Sequence, residues 1–160
     1  MELIVVLFII GLMATFAVPN FGGRLFRDDT ESFINWVVLN AGQFKKKARL
    51  SHAVLIMIYD PNAHTFRVEE EKTTNKDPEK DEADDKPIST YELAADIRID
   101  DIRVNGKPLT ETDAGIRFYP KGYSDHAVIS LSDENHQEFT LVIEPFLQRV
   151  AVHQGAYRFD

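Results

Sequence analysis

The chain has 160 residues with 26 acidic and 18 basic side chains, and its formal net charge is −8. A chain of this length supports one globular domain with an appendage. The negative charge argues against a nucleic-acid partner, which would need clustered Lys and Arg side chains. The absence of cysteine excludes a disulfide framework and thiol chemistry. We interpret the one compact basic run, Lys45 to Lys47 with Arg49, as the solvated end of a helix.

An uncharged apolar run extends from Leu3 to Gly23, between Glu2 and Arg24. It meets the length of about 20 residues that a membrane-spanning helix needs. No basic residue precedes it, and it exceeds the apolar stretch of roughly 7–15 residues in a secretory signal. It also lacks the polar face of a buried core helix. We therefore predict a transmembrane or filament-core helix over residues 1–23. Its apolar side chains are Leu3, Ile4, Val5, Val6, Leu7, Phe8, Ile9, Ile10, Leu12, Met13, Phe16 and Val18.

Two residues of this segment are hard to explain in a plain membrane anchor. The carboxylate of Glu2 is costly at the membrane end of an apolar helix, unless it is paired or lies among the lipid headgroups. Pro19 removes a backbone hydrogen bond and therefore kinks or ends the helix. Simple helix termination before Asn20 is the alternative explanation for Pro19.

The stretch from Glu2 to Phe21 resembles the start of type IV pilins and type II secretion pseudopilins. In that family a glutamate begins the apolar helix and a proline follows 17 residues later, and Glu2 and Pro19 keep this spacing. The ending Ala-Val-Pro-Asn-Phe is also typical of the family. The resemblance implies that Glu2 and Pro19 act in assembly, with Glu2 pairing with the processed N-terminal amine of a neighbouring subunit.

Residues 24–53 are predicted to form an amphipathic helix that continues from the membrane segment into the soluble domain. Asp28, Asp29 and Thr30 supply capping and negative charge suited to a helix start. Apolar residues then recur at the helical period, and we expect them to pack on a core and not on a partner: Phe33, Ile34, Val37, Val38, Ala41 and Phe44.

Residues 54–160 are predicted to form a β-rich domain. Short apolar or alternating runs are separated by turn signals such as Asn105-Gly106. The predicted strands are Val54–Tyr59, Thr65–Glu69, Ile97–Val104, Gly115–Tyr119, Ala127–Leu131, Phe139–Ile143 and Arg149–His153. The fold class is α+β and pilin-like, with a long N-terminal helix packed on an antiparallel β-sheet or β-sandwich.

The order of elements resembles one branch of the family, the H-type minor pseudopilins and the related FimT-like pilins. In that branch the helix ends in an Ala-Arg turn before a strand pair, as Ala48-Arg49 precedes Val54–Asp60 here. An apolar-Phe-x-Pro-x-Gly stretch follows nearer the C-terminus, and Ile116 to Gly122 fits it. The usual closing Thr-Gly turn is replaced here by Pro145-Phe-Leu-Gln148.

Residues 69–87 are rich in acids and are predicted to form a flexible, solvated loop. The segment lacks the apolar residues needed to order itself. A weaker alternative is calcium binding, for which the candidate ligands are Asp77, Glu79, Asp81, Asp84 and Asp85. The spacing and central glycine of an EF-hand are absent. A third use of the charge is electrostatic selection of a partner.

No catalytic constellation stands out in the sequence. The five histidines lie in separate elements without metal-ligand spacing, and there is no Gly-x-Ser-x-Gly or phosphate-binding glycine loop. We therefore expect neither an enzyme nor a cofactor.

The combined reading is a minor pseudopilin of a bacterial type II secretion pseudopilus. The resemblance implies a single-pass inner-membrane protein with its C-terminal domain in the periplasm. Its implied partners are other pseudopilins through the N-terminal helix, the inner-membrane assembly platform and secreted cargo. The alternatives are a minor type IV or competence pilin, and an anchored periplasmic binding domain that never polymerises.

Met1 stands where the family has its variable apolar residue, often valine, and a GTG codon reads as either residue. We expect the precursor to begin upstream of Met1, so that the peptidase site and the N-methylated residue precede this sequence. Translation of the DNA before Met1 should reveal an in-frame basic leader ending in a Gly-Phe-Thr-Leu-like stretch. A stop codon directly before Met1 would contradict this expectation.

Overall fold

A computed structural model describes residues 27–71, 86–110 and 115–155. One helix, α1 (Arg27–Ser51), precedes nine strands. The strands are β1 (Leu55–Asp60), β2 (Thr65–Glu70), β3 (Ser89–Glu92), β4 (Arg98–Val104), β5 (Lys107–Pro108), β6 (Ile116–Phe118), β7 (Ala127–Ser132), β8 (Glu138–Ile143) and β9 (Val150–Gln154).

The strands form two antiparallel sheets. The first sheet has the order β3-β2-β1-β6, and the second has the order β5-β4-β7-β8-β9. Buried residues of α1 and of both sheets belong to one hydrophobic cluster, so the helix and the sheets share a core. The predicted α+β arrangement of a helix packed on antiparallel sheets is therefore confirmed. The predicted continuation of that helix into residues 1–26 lies outside the described residues.

The apolar stripe of α1 forms the helical side of the core, as its spacing predicts. Phe33, Val37, Ala41, Phe44 and Ala48 are all buried. Full burial of an aromatic side chain such as Phe33 contributes about 2–3 kcal/mol. The Phe33 ring lies 5.2 Å from the ring of Phe66 in β2, and the Phe44 ring lies 5.6 Å from that of Phe118 in β6. These ring pairs fix α1 against the first sheet.

The phase of the alternating pattern in β4 changes within the strand, and a β-bulge explains the change. Ile99 pairs with Leu131, but the next paired residue is Asp101, opposite Ser130. Asp100 is therefore an extra residue, which shifts the side-chain alternation by one position. The bulge lets Ile99 and Ile102 both point towards the core although they are three residues apart.

The turns follow the chemistry of their residues. Asn105 and Gly106 both have positive φ, 53° and 80°, which suits the tight turn predicted from this dipeptide; the turn joins β4 to β5. In the β1–β2 hairpin the Asp60 carboxylate accepts hydrogen bonds from the backbone N–H groups of Asn62 and Ala63. Such a carboxylate satisfies turn donors that no strand partner reaches.

Three features differ from the predicted boundaries. Strand β2 continues through Glu69 and Glu70, which pair with β1, so these residues do not belong to a flexible loop. Strands β3 and β5 were not predicted, because one carries polar residues at a sheet edge and the other has only two residues. Helix α1 ends at Ser51, and His52 begins a turn with φ 56°.

Lys45 corrects the prediction that the whole basic run is solvated. Its side chain is only 2% exposed, and its Nζ donates hydrogen bonds to the backbone carbonyls of Glu144 and Leu147, each at 2.6 Å. Burial lowers the pKa of the Lys45 amine, and the nearby charge of Glu144 opposes that shift. Lys45 therefore joins α1 to the loop between β8 and β9.

We predict that Lys45→Met destabilises the protein by about 2–4 kcal/mol, because two partly buried carbonyls lose a charged donor. Chemical denaturation of the variant measures the change. Lys46→Met is the matched control, because Lys46 is exposed on the same helix and its replacement should stay within about 0.5 kcal/mol. Equal effects at the two positions would contradict the assigned role of Lys45.

Gly115, with φ 117°, lies so close to β1 that an added Cβ would be 2.2 Å from the carbonyl oxygen of Met57. We predict that Gly115→Ala costs at least about 3 kcal/mol, from backbone strain and from displacement of β1. Gly106→Ala meets only the strain of positive φ, because no atom lies within 4 Å, and should cost about 1–2 kcal/mol. Thermal unfolding of both variants tests the difference.

Candidate functional site

Most residues that the sequence assigns to assembly or metal binding lie outside the described residues. These are Glu2, Pro19, the apolar residues of segment 1–23, and the calcium candidates Asp77, Glu79, Asp81, Asp84 and Asp85. Within residues 27–71, 86–110 and 115–155, no helix is apolar and long enough to cross a membrane. The same residues contain no group of three or more His, Asp or Glu side chains placed to hold a metal.

The outer face of α1 carries exposed leucines. Leu39 and Leu50 are each 70% exposed, although α1 buries its opposite face in the core. They are separated by 11 positions, about three helical turns, so they share one side of the helix. This pair could not be recognised from the helical period, because exposed polar residues, Gln43 and Lys46, lie between the two leucines on the same face. Exposed apolar residues on one helix face are suited to packing against a second helix.

The loop between β8 and β9 presents two consecutive apolar side chains to solvent. Phe146 is 81% exposed and Leu147 is 60% exposed. Their backbone is nevertheless fixed, because Lys45 binds the carbonyls of Glu144 and Leu147. Gly42 of α1 lets the loop approach closely, since an added Cβ would lie 3.2 Å from the carbonyl oxygen of Gln148. The only sequence signal for this loop is the departure from the family's Thr-Gly turn.

Aromatic rings connect this loop to a neighbouring one. The Tyr123 ring lies 5.9 Å from the Phe146 ring and 4.6 Å from the Tyr119 ring. The Ser124 N–H donates to the carbonyl of Pro145 at 3.1 Å, so the two loops are also joined through their backbones. Burial, followed by the charge of Asp125, raises the pKa of Tyr119. The phenol of Tyr119 therefore remains a hydrogen-bond donor at neutral pH.

Asp125 is a buried carboxylate that organises the base of these loops. It accepts hydrogen bonds from the Asn105 amide at 3.0 Å, the Arg117 backbone N–H at 3.1 Å and the Tyr119 hydroxyl at 3.2 Å. These donors come from the β4–β5 turn, from β6 and from the loop that follows it. Satisfied in this way, the carboxylate holds three chain segments together.

A polar groove of about 360 Å³ lies on the outer face of the second sheet. Its charged lining includes Arg98, Asp100, Asp101 and Arg103 from β4, which form the pairs Arg98–Asp100 at 2.8 Å and Arg103–Asp101 at 2.6 Å. The groove therefore has mixed charge that is balanced along β4. Its serines and His136 are not hydrogen-bonded to one another within the described part of the chain, so no activated nucleophile is assembled there.

The histidines occupy turns and the surface. His52, His64 and His136 all have positive φ, between 53° and 59°, at the ends of elements or in hairpins. His126 lies 3.8 Å from Glu144, and His153 is exposed in β9.

No protein-family model and no curated protein matches the sequence. Among solved structures, the chain is similar to the minor pseudopilin EpsH from the type 2 secretion system of Vibrio cholerae, with a TM-score of 0.52 and 12% sequence identity. The similarity covers 81% of this chain and 97% of the EpsH chain. The chain therefore has a pseudopilin-like fold, in agreement with the family resemblance found in its sequence.

Proposed function

We propose that this chain is a minor pseudopilin subunit of a type II secretion pseudopilus, assembling through its N-terminal helix to support protein export. The observation that carries the proposal is the likeness of the fold to that of a minor pseudopilin. The spacing of Glu2 and Pro19 resembles that of the pilin family. It supports the proposal independently, because it is a property of the sequence and not of the fold.

The outer face of α1 adds physical support. A helix that only covers a core needs one apolar face, yet α1 exposes Leu39 and Leu50 on the other face. Burial of each leucine against a neighbouring subunit would contribute up to about 1.5–3 kcal/mol. The two exposed leucines are thus available for contact with the helices of other subunits when the subunits assemble.

The proposed mechanism is assembly and involves no covalent chemistry. The apolar segment is held in the inner membrane and then moves into a bundle with the helices of other subunits, delivered by the assembly platform. Head-to-tail contacts that do not close produce a filament instead of a ring. Glu2 pairs with the N-terminal amine of a neighbour, which offsets the cost of placing a carboxylate among apolar side chains. The sheet domain faces the periplasm, where it meets other subunits or cargo.

We predict that Glu2→Leu leaves membrane insertion intact but reduces incorporation into filaments at least about tenfold, because the buried amine of the neighbour loses its partner. Membrane fractionation measures insertion, and quantification of the chain in sheared, purified filaments measures incorporation. Glu134→Leu is the matched control, because it makes the same chemical change at an exposed turn of the sheet domain.

Equal incorporation of Glu2→Leu and wild type would contradict the proposed pairing of Glu2 with the N-terminal amine of a neighbour. Absence of wild-type chain from filaments, with the chain stably inserted in the membrane, would instead favour an anchored binding domain that does not polymerise.

A further inference from the structure

One surface of the sheet domain has no part in the core or in the proposed helix bundle. It combines the exposed apolar side chains of the β8–β9 loop with an adjacent aromatic ring and three exposed cations. We call it the Phe146 surface, and its residues are Phe146, Leu147, Tyr123, Arg49, Lys121 and Arg149.

The Phe146 surface is held in place before any partner arrives. Lys45 fixes the carbonyls on either side of Phe146, and the Ser124 N–H holds Pro145. The Tyr123 loop is itself closed by the hydrogen bond from the Tyr119 N–H to the Tyr123 carbonyl at 2.8 Å. An exposed aromatic side chain on a fixed backbone loses little conformational entropy on binding, which is the property of an interface anchor.

Three exposed cations belong to the segments that form or contact these loops. Arg49 packs along the Gly122 turn, its Cδ 3.8 Å from the position of a Cβ there, while Lys121 precedes Gly122 in that turn and Arg149 is the last residue of the β8–β9 loop. Two acids also belong to these loops: Asp125 is buried with three donors, and the charge of Glu144 acts on the buried amine of Lys45. A basic rim on a chain of net charge −8 favours a partner that is locally acidic.

We propose that the Phe146 surface docks into an apolar pocket rimmed by carboxylates on a different pilin-like subunit of the same filament. This inference rests on the proposed function. A lipid surface is disfavoured, because Lys45 lies roughly 25 Å along α1 from its membrane-proximal start. A symmetric contact with a second copy is disfavoured because it would bring the exposed cations of the two copies together. A polynucleotide would meet only a few cations on a strongly acidic protein.

The test uses the full-length chain in detergent micelles. Its probes are the purified pilin-like proteins encoded in the same gene cluster, a second copy of the chain, and a single-stranded oligothymidylate. We expect one of the pilin-like proteins to bind, with an affinity that falls as salt rises. Phe146→Ala should weaken that binding at least about tenfold, and Phe146→Trp should retain it. Arg149→Glu should also weaken it, whereas the matched control Arg67→Glu, exposed on the first sheet, should leave it unchanged.

Thermal unfolding shows whether each variant is folded, and Phe146 is exposed enough that its removal should leave the melting temperature within about 2 °C of wild type. Unchanged affinity of folded Phe146→Ala overturns the inference, as does the absence of binding to every pilin-like protein. Binding of a second copy or of the oligothymidylate that depends on Phe146 also overturns it, by assigning the surface to another partner. Incorporation of the wild-type chain into filaments is measured separately. If the wild type is incorporated but Phe146 is not needed for binding, the inference is wrong and the proposed function is retained.

Discussion

The fold depends on one requirement, that the apolar stripe of α1 be covered along its length. The stripe runs along one side of a 25-residue helix and consists of Phe33, Val37, Ala41, Phe44 and Ala48. The buried cluster around it contains residues from both the four-stranded and the five-stranded sheet. Hydrophobic burial is not directional, so ring contacts such as Phe33 with Phe66 and Phe44 with Phe118 set the position of the helix.

Lys45 is the exception on the buried side of α1, and it extends the influence of the helix to the surface. Taking an ammonium group out of water is costly unless strong acceptors replace the water. Here two backbone carbonyls of the loop before β9 take the place of water. The amine gains two acceptors, and the two carbonyls gain a donor. The helix therefore fixes the conformation of a loop whose apolar side chains point to solvent. An alkyl side chain of similar length would fill the space but would leave the loop carbonyls without this donor.

The elements that could be predicted are those in which local chemistry and burial agree. The helical period of α1, the Asn105-Gly106 turn and the runs of β7 and β8 all meet this condition, and the structure confirms them. Strands β3 and β5 could not be predicted, because an edge strand is stabilised by backbone pairing and its sequence can remain polar. The position of Lys45, four residues after Ala41 and three before Ala48, places it on the buried face of the helix. Its burial was nevertheless not predicted, because lysine is almost never fully buried. Glu2 and Pro19 are predicted from family resemblance alone, and the loop that carries Phe146 is marked in the sequence only by a departure from the family pattern.

In a filament built from different subunits, some contacts provide affinity and others must select the correct neighbouring subunit. Apolar helices provide much of the first, but leucine, isoleucine and valine side chains distinguish poorly between similar helices. Discrimination needs fixed shape and charge, because a misplaced cation or an unfilled pocket costs free energy that a correct partner avoids. In this chain an exposed aromatic side chain and exposed cations occur together on and beside a loop that the buried amine of Lys45 holds in place. If the proposed function holds, a charged, aromatic surface on the sheet domain is therefore the part of this chain that can distinguish one neighbouring subunit from another.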